Sequence, residues 1–209
     1  MKKIFFIFFA LLSLTAAFSQ SSIKYINNQN EIVLVPIVDG KITFYKTEII
    51  KILPENLEMV QHIKFQMVHR INDYSFFKDL KNIVRLDFFT TSNNDYTFLQ
   101  SVPTLESLWI EGDDLEKKKL DFTYNHNLRN LSLTNTNLRN FNNIIGLNNN
   151  IELILLWFNH IIDTPDIFTK DYPKATIIFI EKNIGIKINN QRIIYDSNNI
   201  PIEYFTFIP

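Results

Sequence analysis

The sequence predicts an α/β fold, a solenoid of about six repeats with a parallel β-sheet on its concave face and hairpin-like caps at both ends. The main observation is a recurring frame of apolar residues whose copies begin at positions 60, 83, 105, 128, 151 and 175, which lie 22–24 residues apart. Within each copy, apolar residues alternate as a β-strand requires. Hydrophobic residues make up 46% of the 209-residue chain, so it can bury a core.

The first 19 residues predict export. Lys2 and Lys3 precede an apolar run over residues 4–14, and Ala17 and Ser19 occupy the −3 and −1 positions of a signal-peptidase site. The run is shorter than the roughly 20 residues that a membrane-spanning helix needs. We therefore expect residues 1–19 to be a signal peptide, the mature chain to have no transmembrane segment, and the protein to be periplasmic, cell-surface or secreted.

Residues 20–56 are expected to form an N-terminal cap. Asp39 and Gly40 lie between two apolar runs rich in β-branched residues, which is typical of a β-hairpin. Pro36 predicts that the first of these strands lies at an edge or contains a bulge. Residues 47–57 are predicted to lead into the first repeat through a short helix.

Residues 57–184 are expected to form the solenoid. In the copy that begins at Leu128, apolar residues lie at offsets 0, 3, 5 and 10, and Thr136 lies at offset 8. Offsets 3 and 5 point to the same side of a strand, toward the core, and stacked copies align these strands in one parallel sheet. The residue at offset 8 is expected to turn inward and satisfy backbone groups, a role that suits Asn159 and Asn183 but not Val68.

This frame resembles the leucine-rich repeat, L-x-x-L-x-L-x-x-N-x-L, and its short period is similar to the internalin-like class of exported bacterial proteins. The resemblance covers residues 57–184. It implies a scaffold that binds a ligand on its concave face. It does not identify the ligand, because repeat solenoids of one class bind many different partners.

The segments after the last strands complete the predicted architecture. Thr164 and Pro165 are typical of a helix start, with threonine as the N-cap and proline at the first helical position. Residues 185–209 are expected to cap the C-terminal end, through a hairpin over residues 186–195 and an apolar tail over residues 202–208. Neither cap is long enough to enclose a core of its own, so neither is expected to be a separate domain.

The composition argues against several classes of function. A formal net charge of −1 argues against a nucleic-acid-binding domain that neutralises phosphates. The absence of cysteine excludes disulfides, a cysteine nucleophile and a thiolate metal site. The four histidines include no pair with the i, i+4 spacing of a helical zinc site. We therefore expect neither a metal nor a cofactor.

One acidic cluster contains Glu111, Asp113, Asp114 and Glu116. It lacks the ligand spacing of a calcium loop, so a weak calcium site and a solvated loop both remain open. No nucleophile elbow, phosphate-binding glycine loop or dinucleotide fingerprint occurs in the sequence. The chain is therefore not expected to be an enzyme, and a hydrolase with an acidic site near Glu111 and Asp113 is the weakest of three hypotheses.

The concave face is expected to present offsets 2, 4 and 6, which are polar in the N-terminal copies and apolar in the C-terminal ones. Two alternatives remain open: the C-terminal segment covers the apolar columns, or the register differs by one residue and turns them inward. The predicted partner-binding residues are Phe89, Trp109, Leu153, Leu155, Trp157, Phe158, Ile177 and Phe179.

These observations predict an exported, non-catalytic recognition module that binds a protein or peptide through the concave face. Aromatic anchors surrounded by polar residues are typical of such surfaces. A carbohydrate-binding module that stacks sugars on Trp109 and Trp157 is the second hypothesis. A self-associating structural protein of the cell envelope is a further alternative.

Overall fold

The computed structural model describes residues 21–91, 94–161, 175–179 and 193–195, and for residues 176–179 and 193–195 it describes the backbone. Several predicted features lie outside these residues, namely the signal peptide, the helix start at Thr164, Asn183 at its offset 8, and the apolar tail over residues 202–208.

The described part of the chain is built mainly from short strands. Its helical structure consists of three 3₁₀ helices, Leu57–Met59, Ser75–Asp79 and Thr97–Ser101. In chain order the strands are β1 (Ser22–Asn27), β2 (Ile32–Pro36), β3 (Lys41–Tyr45), β4 (Glu48–Ile52), β5 (His62–Gln66), β6 (Arg70–Ile71), β7 (Arg85–Phe89), β8 (Ser107–Glu111), β9 (Leu120–Asp121), β10 (Asn130–Thr134), β11 (Ile144–Ile145), β12 (Leu153–Leu155), β13 (Thr176–Phe179) and β14 (Ile193–Tyr195).

The largest sheet has eight strands in the order β3-β5-β7-β8-β10-β12-β13-β14. Neighbours run parallel from β3 through β13, and β14 pairs antiparallel with β13. A four-stranded sheet, β2-β1-β4-β6, and a two-stranded sheet, β11-β9, complete the described strands. The α/β class with a parallel sheet is confirmed, although helices are nearly absent. No described helix has the length and apolar character needed to cross a membrane.

The pairing of the main sheet follows the predicted frame. Ile63 pairs with Leu86, Leu86 with Leu108, Leu108 with Leu131, and Leu131 with Ile154, so the offset 3 positions of the first five copies are aligned. All five side chains are buried. Because strand side chains alternate between the two faces, this alignment directs the apolar residues of each copy into one core.

The register of the last copy differs from the prediction by one residue. The frame beginning at Ala175 places Ile178 opposite Ile154, whereas the backbone pairs Ile177 with Ile154 and Ile178 with Leu155. The sequence from Ile177 to Phe179 is continuously apolar. It therefore contains no alternation of apolar and polar residues that would specify one register over the other.

Aromatic side chains fill the N-terminal half of the core. The rings of Phe44, Phe65 and Phe88 stack across three adjacent strands, with centroid separations of 5.3 Å and 4.9 Å. Two of the 3₁₀ helices contribute Phe77 and Phe98, whose centroids lie 3.8 Å apart. These rings lie on one side of the main sheet, so the other side is free to present the functional side chains.

The predicted N-terminal segment does contain an antiparallel pair of consecutive strands, β1 and β2, but the hairpin predicted around Asp39 and Gly40 does not form. Asp39 and Gly40 do form a tight turn, in which Val38 and Lys41 exchange both backbone hydrogen bonds. The flanking strands then diverge, because β2 pairs with β1 and β3 pairs with β5. The Asp39-Gly40 sequence thus determines the local turn. The pairing of β3 is determined by Ile42 and Phe44, which are buried in the core of the main sheet.

The short helix predicted over residues 47–57 is also wrong, because this segment contains β4 and the 3₁₀ helix begins at Leu57. Ile49 and Ile52 are buried, and β4 pairs with both β1 and β6. Three isoleucines within five residues favour a strand. For the C-terminal cap, β14 pairs with β13, and the other strand of the predicted hairpin lies outside the described residues.

A turn with positive φ recurs after successive strands of the main sheet. In five of these turns, the residue with positive φ donates its N–H to a carbonyl of the next copy at 2.7–3.1 Å, which fixes its backbone. The residues with positive φ are Lys46, Met67, Thr90, Gly112, Asn135 and Phe158, with φ between 47° and 78°.

We expect Thr90→Asn to raise the free energy of unfolding by up to about 1 kcal/mol, because the left-handed region costs most residues roughly 1–2 kcal/mol and asparagine tolerates it better. Thr90 has a φ of 52° and an exposed side chain, so little packing is lost. Urea denaturation monitored by tryptophan fluorescence measures the change. Thr43→Asn, in the extended strand β3, is the control and should give no gain. An equal gain in both variants would contradict the strain argument.

Candidate functional site

The side of the main sheet opposite the core carries three rows of side chains, which we call the outer face. Each row runs across the strands at one register position, and its members alternate with buried core residues. The rows are Lys41, His62, Arg85, Ser107, Asn130 and Leu153; Thr43, Lys64, Asp87, Trp109, Ser132 and Leu155; and Tyr45, Gln66, Phe89, Glu111 and Thr134. Trp157 follows β12, two residues after its last residue.

The predicted binding residues differ in their accessibility. Phe89, Trp109, Leu153 and Trp157 are half-buried, and Phe158 is 42% exposed. They keep enough surface to contact a ligand.

For the other three predicted binding residues, the structure describes no accessible side-chain surface. Leu155 is 6% exposed, so it is not an accessible contact residue. Ile177 and Phe179 lie in β13, where the structure describes backbone pairing and not side chains.

A cleft of about 690 Å³ lies at the aromatic part of the outer face. We call it the aromatic cleft. Its lining combines three aromatic side chains with one carboxylate, one amide, one hydroxyl and one imidazole. The lining residues are Trp109, Glu111, Thr134, Asn135, Trp157, Phe158 and His160. Its volume falls within the range of small-ligand sites, which is about 300–1,000 Å³.

Lys64 and Phe89 connect the aromatic cleft to the polar strands. The ring centroids of Phe89 and Trp109 lie 5.1 Å apart in a tilted arrangement. The Nζ atom of Lys64 lies 4.8 Å from the centroid of Phe89, within the range of a cation–π interaction. A cationic side chain, a phenyl ring and an indole therefore form a continuous surface across three adjacent strands.

The polar part of the outer face contains a cluster that was not predicted from the sequence, in which the buried carboxylate of Asp87 contacts His62 and Arg85. Asp87 is 2% exposed and pairs with two neighbours, His62 Nε2 at 2.8 Å and Arg85 Nε at 2.9 Å. Burial raises the pKa of Asp87, but the hydrogen bonds and charges of His62 and Arg85 outweigh burial and hold the pKa below its ordinary value. Asp87 is therefore a carboxylate that orients two cationic or polar side chains.

The depressed pKa of Asp87 predicts acid sensitivity. A carboxyl group with a lower pKa in the folded state stabilises the protein above about pH 4, and this stabilisation is lost as the pH falls toward the folded pKa. We expect the free energy of unfolding to fall less steeply between about pH 5 and pH 3 in Asp87→Asn than in the wild type. Urea denaturation at several pH values measures the slope. Asp39→Asn, at an exposed turn, is the control, and an unchanged slope in Asp87→Asn would contradict the prediction.

The acidic cluster separates into residues with different surroundings. Glu111 lines the aromatic cleft, whereas Asp113 is 2% exposed and bonded to protein groups. Lys118 Nζ donates to Asp113 at 2.7 Å, and the Tyr96 hydroxyl donates to it at 2.8 Å. Burial, followed by the charge of Asp113, raises the pKa of Tyr96 well above its ordinary value. These contacts give Asp113 a structural role in the core.

Histidine and acidic residues do not converge on a cation site in the parts of the chain that the structure describes, where no group of three or more is suitably placed. His160 lines the aromatic cleft, and His126 lines a separate polar hollow that includes the Arg129–Glu152 ion pair. Comparison of the chain with models of known protein families and with curated protein sequences finds no match.

Proposed function

We propose that this chain is an exported, non-catalytic recognition protein of the leucine-rich repeat class, which binds a protein or peptide through the outer face of its main sheet. The 22–24-residue spacing and the alignment of equivalent residues across adjacent strands support a stacked-repeat architecture. The motif at residues 1–19 supports export.

The aromatic cleft is the observation that carries the binding proposal. Its three aromatic side chains retain accessible surface beside polar groups, and indole and phenyl rings dominate the energetics of protein interfaces. Phe89 and Trp109 lie at diagonal positions of adjacent strands with their rings in contact, so little side-chain freedom is lost when a ligand binds. A preorganised aromatic surface of this kind suits an apolar side chain of a partner.

Selection from a displayed library of random dodecapeptides tests this proposal. The wild-type protein is expected to enrich a related set of sequences, and Trp109→Ala is expected to lose them while remaining folded by circular dichroism. Tyr124→Ala is the matched control, because Tyr124 is 55% exposed and lies outside the outer face. The absence of any enrichment that depends on Trp109 would overturn the assignment of the binding surface.

A carbohydrate ligand is the second candidate, because two indole rings line the same cleft as Glu111, Asn135 and His160. Stacked rings with neighbouring hydrogen-bonding groups suit a sugar ring. A glycan array probed with the wild-type protein, Trp109→Ala and Trp157→Ala distinguishes the two candidates. Binding of a neutral glycan that is lost in both variants would replace the peptide proposal.

A further inference from the structure

The first three strands of the outer face are more basic than the chain as a whole. These strands carry three cationic side chains on the outer face, Lys41 in β3, Lys64 in β5 and Arg85 in β7. The same part of the face carries one carboxylate, Asp87, so the formal excess is two positive charges. The whole chain has a net charge of −1. We call these three cationic side chains the basic end of the outer face.

The basic end retains hydrogen-bond donors for a ligand. Arg85 uses its Nε to bind Asp87, and its two terminal nitrogens have no acceptor among the residues that the structure describes. Its side chain is 42% exposed. Lys41 and Lys64 make no ion pair within the same described ranges, and Lys41 is exposed. Asp87 therefore orients Arg85 through Nε, and the two terminal nitrogens of Arg85 can still donate to a second carboxylate.

The basic end and the aromatic cleft lie on one continuous surface. From Lys64 in β5 to Trp157 beyond β12 there are four steps between adjacent strands, and each step is about 4.8 Å. The total of about 19 Å corresponds to roughly six residues of an extended peptide. Phe89 and Trp109 occupy two of the three intervening strands, β7 and β8, so one short segment reaches from the cationic groups to the cleft.

We propose that the outer face recognises an acidic peptide segment, with its carboxylates at the basic end and a large apolar or aromatic side chain in the aromatic cleft. This inference rests on the proposed function and specifies the chemistry of the partner. Such a peptide carries its negative charges at one end and its apolar side chain at the other, as the separation of the basic end from the aromatic cleft requires. An acidic polysaccharide with a charge on every unit would instead place negative charge beside Glu111 in the cleft.

The sequences enriched from the random dodecapeptide library test this proposal separately from the proposed function. We expect them to combine two or more Asp or Glu residues with an aromatic or large aliphatic residue about six positions away. Enrichment that depends on Trp109 but shows no acidic bias would overturn the acidic-peptide inference and leave the proposed function standing. Enrichment that does not depend on Trp109 would overturn both.

Affinity measurements on one enriched synthetic peptide then test the basic end. Lys64→Gln is expected to weaken binding by about two- to fivefold at low salt, with a smaller difference in high salt. Lys51→Gln is the matched control, because Lys51 is an exposed lysine of β4, outside the outer face. Equal affinities of Lys64→Gln and wild type would overturn the proposal.

The same proteins are probed with polygalacturonate to separate an acidic sugar from an acidic peptide. Weak binding of polygalacturonate that is unaffected by Lys64→Gln supports the peptide assignment. Binding that is tighter than that of the peptide and is lost in both Lys64→Gln and Trp109→Ala would overturn it.

Discussion

Asp113→Ala is expected to lower the free energy of unfolding by about 3 kcal/mol or more, because it removes a buried carboxylate that accepts hydrogen bonds from several neighbouring groups, and each buried group left without a partner costs about 1–3 kcal/mol. The carboxylate is 2% exposed, and Lys118 Nζ lies 2.7 Å from it. The Tyr96 hydroxyl and the Asn94 side-chain amide also donate to Asp113, at 2.8 Å and 3.1 Å. The backbone N–H of Asn94 donates as well, so loss of the carboxylate leaves the Lys118 cation and three further donors without this acceptor.

Urea denaturation monitored by tryptophan fluorescence measures this loss. Asp114→Ala is the matched control, because it removes an exposed carboxylate from the adjacent residue and should cost less than about 1 kcal/mol. A double-mutant cycle with Lys118→Ala isolates the pair, and we expect the two substitutions to be strongly non-additive. Similar small losses in Asp113→Ala and Asp114→Ala would refute the structural role of Asp113 and reopen the question of a functional acidic site.

The alternation of apolar residues allowed most of the main sheet to be predicted. Leu131 and Leu133, two residues apart, point into the core, and the same is true of Ile63 and Phe65. Burial of one face imposes this pattern wherever polar residues separate the apolar ones. Prediction failed at Ile177, where a continuous apolar run removes the distinction between the two faces.

Other features were not predictable because no residue type marks them. The recurring turn with positive φ is occupied by chemically unrelated residues such as Lys46, Thr90 and Phe158, and glycine occurs at Gly112. The backbone adopts this conformation because its N–H bonds to the neighbouring copy, as Thr90 does to Glu111. This cause lies in tertiary structure, so local propensity does not reveal it.

The candidate site was predicted in part. The periodic frame placed Phe89 and Trp109 on the same face, because both positions follow from the register. The pairing of Asp87 with His62 and Arg85 was not predicted, since it joins two strands and depends on side-chain rotamers that the frame does not specify. The outward position of Leu155 was predicted, but not its burial.

The inward residue at offset 8 is buried in every described copy, whatever its chemistry. The positions are Val68, Thr91, Asp113, Thr136 and Asn159, all 2% exposed or less. The sequence predicted this placement and also the exceptional character of Val68. In its copy the following residue, His69, donates its N–H to the carbonyl of Thr47. In the last of these copies, the residue after Asn159, His160, likewise donates its N–H to the carbonyl of Leu138, so this kind of backbone bond occurs with a valine and with an asparagine at offset 8.

Asn159 makes side-chain hydrogen bonds that a valine cannot make, and Asn159→Ala is expected to lower the free energy of unfolding by about 3 kcal/mol or more. Its Oδ1 accepts from the N–H groups of Thr136 and Leu138, and its Nδ2 donates to the carbonyls of Leu133 and Trp157. Each buried group left without a partner costs about 1–3 kcal/mol.

Urea denaturation measures the loss in Asn159→Ala against Asn149→Ala, an exposed asparagine expected to change stability by less than about 0.5 kcal/mol. Asn159→Asp adds a second comparison, because it keeps the acceptor for Thr136 and Leu138 but removes the donor to Leu133 and Trp157. Asn159→Asp should also be destabilised, because the buried carbonyls of Leu133 and Trp157 lose the amide donor and lie beside a carboxyl oxygen instead. If Asn159→Ala instead matches Asn149→Ala, the backbone groups bonded to Asn159 find other partners, and the asparagine at offset 8 is a sequence pattern without a structural requirement.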